Sequence, residues 1–229
     1  MSDIEGIFKI KIIKNGPYMV TGFVPMTKQI ILADRNGLSS SWETSHRYPV
    51  QEKYSLCRCG KSQNKPYCDG THMHAKFIGT ETASTEKYID QAEVIEGADI
   101  TLTDVVNLCA FARFCDRDGG VWQLTEDSED PEARDMAIQE ACDCPAGRLV
   151  MWDKKTGQSI EPELEPSIGL IEDPQIGVSG PIWVKGGIPI EASDGTVYEE
   201  RNRVTLCRCG RSQNKPFCDG IHAAKGARE

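Results

Sequence analysis

Eight side chains in two short stretches have the types and spacing to hold metal: Cys57, Cys59, Cys68 and His72, then Cys207, Cys209, Cys218 and His222. Each set is spaced C-x-C-x8-C-x3-H, and thirteen of the sixteen positions from 57 to 72 recur at 207–222, an offset of 150 residues. Packing gives no reason to repeat thiols and an imidazole so closely, whereas holding the same metal centre twice does. Thiolate and imidazole donors point to zinc or to iron–sulfur chemistry. The C-x-C pair is tighter than the two- to four-residue spacing of zinc knuckles without excluding zinc, so spacing alone leaves both open.

The remaining four of the ten cysteines, Cys109, Cys115, Cys142 and Cys144, fall together between the repeats. In a reducing compartment this density reads as metal ligation rather than disulfides, and its partition predicts three metal sites. The net charge of −9 argues against nucleic acid or an acidic membrane surface as partner. The opening MSDIEGIFKI lacks a signal pattern, and no apolar run approaches the ~20 residues of a membrane span, so a soluble cytoplasmic protein is expected. There is no Ser–His–Asp set, phosphate loop or dinucleotide fingerprint, and the chain reads as a non-enzyme.

The ligands need elements to position them. Phe8–Ile13 alternates like a strand, and Tyr54-Ser55-Leu56 and Val204-Thr205-Leu206 read as strands running directly into Cys57 and Cys207. Upstream of each, G-P-x-x-V-x-G-x-x-P recurs at 16–25 and 180–189, so the first copy carries 14 more residues before its ligands. Asp130 followed by Pro131 and Glu132 predicts a helix that must stop near Cys144, because Pro145 follows. Polar residues 80–100 and the proline-interrupted 153–180 read as connections. The expected class is α+β, with units at 1–80, 95–155 and 175–229.

Both repeats satisfy C-x-C-x2-S-x3-P-x-C-D-G-x-H and resemble the CDGSH, or NEET, iron–sulfur proteins, with the G-P-x-x-V elements similar to that family's β-cap. The resemblance implies one 2Fe–2S cluster per motif, with Cys57 and Cys59 on one iron and Cys68 and His72 on the other. In the second motif it implies the same of Cys207 with Cys209 and of Cys218 with His222. Ile221 is the one departure, sitting where the family prefers a small residue. Three thiolates leave such a cluster at a formal charge of about −1, and imidazole raises its reduction potential and admits coupling to protons. Two motifs in one chain imply an intrachain pseudo-dimer with a shared β-cap, a monomer with an internal twofold; the alternative keeps the units apart and pairs them between the two chains of a homodimer.

The central C-x2-A-x2-C of Cys109, Ala112 and Cys115, with Cys144-Pro145 downstream, resembles single-cluster bacterial ferredoxins with one corner cysteine replaced. That implies a 3Fe–4S cluster held by Cys109, Cys115 and Cys144, or 4Fe–4S should Cys142 reach it. Otherwise Cys142 is a small buried hydrophobe. Phe111, Phe114 and Trp122 read as core, and His46 and His74 as solvated. Arg58, Lys61, Lys65, Arg208, Arg211 and Lys215 are either a solvated face or a set that tunes the clusters. Asp69 and Asp219 are expected to cap the short helix bearing each His, and Ser62 and Ser212 to close a turn. The expected role is electron transfer with a redox protein partner. The alternatives are cluster storage, transfer to an apo iron–sulfur acceptor or redox and pH sensing, and a zinc-stabilised interaction module.

Overall fold

The computed structural model describes residues 8–228. Strands β1 (Lys9–Ile12), β2 (Tyr18–Thr21), β3 (Met26–Ala33), β4 (Ser39–Arg47) and β5 (Lys53–Leu56) lead to the first ligand loop, which ends in helix α1 (Thr71–His74). The middle of the chain forms α2 (Tyr88–Gln91), β6 (Glu93–Glu96), β7 (Ile100–Asp104), α3 (Val121–Glu126), α4 (Pro131–Asp143), β8 (Leu149–Asp153) and β9 (Ser159–Ile160). Then come β10 (Ser167–Asp173), β11 (Val178–Lys185), β12 (Ile190–Glu191) and β13 (Arg203–Leu206), and α5 (Ile221–Ala224) closes the second loop.

These elements give the α+β class expected, and the two halves exchange strands. One sheet runs β12-β1-β2-β5 and the other β13-β11-β10-β3-β4. In the first, β12 from the second half pairs parallel with β1; in the second, β3 from the first half pairs parallel with β10. The second half therefore adds β12 to three antiparallel strands of the first, and the first half adds the antiparallel β3–β4 pair to three strands of the second. The repeated Gly-Pro marks equivalent places: a Cβ on Gly16 would meet Ile13, and one on Gly180 would meet Ile171, each at about 3 Å. The two sheets close over one core in which Ile10, Ile12, Tyr18 and Leu56 pack with Ile168, Leu170, Ile182 and Leu206, all at most 1% exposed. At roughly 1.5–3 kcal/mol for each large apolar side chain buried, this shared core is what binds the halves.

Two expectations are corrected. Residues 153–180 are not only a connection: Ser167–Asp173 is an inner strand of the second sheet. Residues 80–100 contain α2 and β6, and β6 borders a third sheet, β6-β7-β8-β9. That sheet packs against α3 and α4 around Leu102, Val121, Ala137, Ala141 and Leu149, making the central insert. The helix read from Asp130 is α4; the Asp130 carboxylate accepts from the Glu132 amide at 3.1 Å, with Pro131 in the first turn.

Candidate metal centres

Each ligand loop is folded onto the strand that precedes it. Cys57 N–H donates to the Pro66 carbonyl and Cys68 N–H to that of Ser55, which lays both thiols over the end of β5. Cys207 and Cys218 repeat this with Pro216 and Thr205. Ser62 donates to the Tyr67 carbonyl and accepts from the Asn64 amide, so it closes the turn as expected, and Ser212 does likewise. The Asp69 carboxylate accepts from the Thr71 and Gln63 amides, which hold it well below the usual carboxylate range and fix the start of α1. Asp219 makes the matching bonds to Ile221 and Gln213.

The donors meet in pairs. Cys57 and Cys59 Sγ lie 3.8 Å apart and Cys207 and Cys209 Sγ 3.7 Å. Cys68 Sγ lies 3.3 Å from His72 Nδ1, and Cys218 Sγ 3.4 Å from His222 Nδ1. Two sulfurs bonded at about 2.3 Å to one tetrahedral metal stand about 3.8 Å apart, so each Cys–Cys pair has the span of two ligands on one ion. Among the described residues no three His, Cys, Asp or Glu side chains gather as a single-ion site. A mononuclear zinc site needs four converging donors, whereas a binuclear cluster needs two pairs. The donor chemistry and its pairing fit a 2Fe–2S cluster in each motif.

The two sets differ in enclosure. Cys207 and Cys218 are 1% and 2% exposed and His222 4%, whereas Cys68 and His72 are only half-buried. A hydrogen bond from Cys209 lowers Cys207, while burial drives Cys218 well above the usual thiol range. Burial first, and Arg208 second, hold His222 at about 4, in the neutral form that ligates. In the first motif burial raises Cys59 and Cys68.

Arg58 and Arg208 do not lie on a solvated face. Both are buried: Arg58 pairs with Glu81 at 2.8 Å and donates to the Gly79 carbonyl, and Arg208 pairs with Glu172 at 2.8 Å and donates to the Gly180 and Ile171 carbonyls. Glu81 also accepts from Ser193 N–H and Oγ, which ties the first motif to the second half. Lys61 and Arg211 are exposed, and Lys65 and Lys215 are half-buried. His46 and His74 are exposed, as expected.

Cys109, Cys115 and Cys144 line one small cavity together with Ala112, Pro145 and Arg148. Cys142 is not part of that lining; its thiol contacts the Ile160 carbonyl at 3.6 Å, on the other side of the end of α4. Ala112 packs with Ile31, Phe114, Ile171 and Trp183. Phe114 is core and Trp122 donates to Asp104 at 3.0 Å, but Phe111 is 45% exposed and held at φ 54°, a correction to its reading as core. The residue that sequence reasoning missed is Arg203, 1% exposed, whose guanidinium donates to the carbonyls of Ala141, Cys142, Cys144 and Leu149 and pairs with Glu161. It caps the C-terminus of α4 where Cys144 begins, a placement favourable to a cation.

Glu140, one turn before Cys144, is 1% exposed with neither carboxylate oxygen hydrogen-bonded, and Arg117 is 3.9 Å away. Burial lifts it to about 8. A carboxyl raised on folding loses stability as pH climbs from its unfolded value towards 8, where the folded protein must carry the buried charge. Glu140→Gln should therefore gain on the wild type between pH 5 and 8, by on the order of 3 kcal/mol at the upper end. Parallel melting curves across that range would refute this.

Residues 15–73 and 179–223 match the family model described as iron-binding zinc finger, CDGSH type, and residues 95–154 match the divergent 4Fe–4S mono-cluster model. The chain is an iron–sulfur protein of the CDGSH type. Its two CDGSH regions flank a divergent 4Fe–4S mono-cluster region, the arrangement expected from the sequence. No curated protein and no solved structure matches it. Among the described residues no helix is long and apolar enough to cross a membrane.

Proposed function

We propose that the protein is a cytoplasmic, non-enzymatic electron carrier that exchanges electrons with a redox protein partner. Cys57, Cys59, Cys68 and His72 would hold one 2Fe–2S cluster, and Cys207, Cys209, Cys218 and His222 a second. Cys109, Cys115 and Cys144 would hold a 3Fe–4S cluster, or a 4Fe–4S cluster. Such clusters, when bound, each take up and return one electron.

The observation that carries this reading is the pairing of donors, two sulfurs 3.7–3.8 Å apart and a sulfur–nitrogen pair at 3.3–3.4 Å in each motif. Burial of Cys207, Cys218 and His222 supports retention over release, because the protein excludes water from those ligands. The half-buried His72 favours a second reading, donation of the first cluster to an apo iron–sulfur acceptor.

Iron and acid-labile sulfide analysis with electron paramagnetic resonance on anaerobically purified protein tests the assignment. Stoichiometric iron and sulfide and signals that survive repeated reduction and reoxidation are expected. Zinc without sulfide would overturn the cluster assignment, and loss of a cluster on reduction would favour the donor reading. His72→Cys should lower the potential of the first centre alone in a redox titration, since imidazole in place of thiolate raises it. An unchanged potential would remove His72 from the ligand set.

A further inference from the structure

We infer that the three ligand sets stand in a line with the second CDGSH set in the middle, so that the first set and the central cysteines communicate through it. The electronic consequence rests on the carrier reading; the order itself does not.

The first and second sets meet back to back. A Cβ added at Gly60 would lie 2.6 Å from the Cys209 carbonyl oxygen, and one added at Gly210 would lie 2.6 Å from that of Cys59. Both glycines have positive φ, 71° and 77°, so each motif turns away immediately after touching the other's ligand backbone.

The second and central sets meet through a different face, and the internal repeat supplies its own control. A Cβ at Gly220 would lie 3.1 Å from the Cys109 carbonyl oxygen and 3.2 Å from Phe111 Cβ. Its counterpart Gly70 meets only the side chain of its own neighbour Met73, at 3.5 Å. Of two equivalent faces, the insert covers the second and leaves the first open. Met73, beside the first ligand His, is 68% exposed, while His222 is buried.

Two further links bind the insert to the second motif. Asn214 Nδ2 donates to the Asn107 carbonyl at 2.8 Å. Arg203, four residues before Cys207 on the strand that delivers it, donates to the Cys144 carbonyl at 2.7 Å. By contrast, the first-motif counterpart of Arg203, Lys53, is exposed. With clusters bound, the two contacted pairs of ligand sets would couple more strongly than the uncontacted pair.

Pulsed dipolar electron paramagnetic resonance on the full cluster-loaded chain, reduced stepwise with dithionite, tests this. First–second and second–central interactions should each exceed the first–central one. A first–central interaction as strong as either would overturn the order. Gly220→Ala and Gly70→Ala form a matched pair, since both sites have positive φ, 78° and 86°. The second–central interaction should be weakened in Gly220→Ala and retained in Gly70→Ala; equal effects would count against the assigned contact. If neither variant folds, the wild-type measurement decides. Protein that shows this order of couplings yet passes no electrons to a partner would support the order and defeat the carrier reading.

Discussion

Arg203→Leu should destabilise the protein by about 3–5 kcal/mol and abolish the central resonance signal. The guanidinium is 1% exposed and shared among Glu161 and the carbonyls of Ala141, Cys142, Cys144 and Leu149. Deleting one side of such a buried arrangement leaves the other side desolvated and unpaired, which is why the cost reaches several kcal/mol. It also frees the end of α4, and with it the backbone that aims Cys144. Arg203→Lys should recover only part of the loss, because a point charge cannot serve this many acceptors. Denaturant midpoints and the central signal, measured together, decide it. A leucine variant with wild-type values for both would show that Arg203 neither supports the fold nor positions Cys144.

The second large effect lies at the seam between the motifs. Gly60→Val should cost well beyond the roughly 1–3 kcal/mol of a side chain forced into left-handed backbone. Its Cβ would fall 2.6 Å from the Cys209 oxygen and 2.8 Å from that residue's carbonyl carbon, and backbone cannot step aside as a flexible side chain would. Gly157→Val isolates the strain: its φ is 68° and nothing lies within 4 Å of the added carbon. Gly60→Val should alter the signals of both CDGSH centres, since Cys59 and Cys209 are pushed apart, while Gly157→Val leaves them alone. Equal destabilisation in the two variants would mean that the seam tolerates separation.

Much of this architecture was legible because ligands and caps are local signals. The repeat announced paired sites, and Asp130-Pro131 announced α4. The missed parts depend on distant partners. Ser167–Asp173 is flanked by Pro166 and Pro174, and its run from Ile168 to Ile171 is buried throughout, so it shows no alternation to betray a strand. Arg58 and Arg208, placed between two ligands, look like surface cations until Glu81 and Glu172 arrive from elsewhere. Arg203 gave no signal because its acceptors lie some 40 to 60 residues upstream. Phe111 looked like core on hydrophobicity alone, yet its left-handed backbone leaves the ring 45% exposed.

The exchanged strands bear on how the protein is made. Ile10 of β1 finds its parallel neighbour Ile190 some 180 residues later, and the closing strand β13 comes later still. At roughly 5–20 residues per second, a ribosome exposes the amino-terminal edge of that sheet for about 10–35 s before its mate emerges. Because Gly60 abuts Cys209, the Cys57 loop gains its finished surroundings only after the second motif has been made.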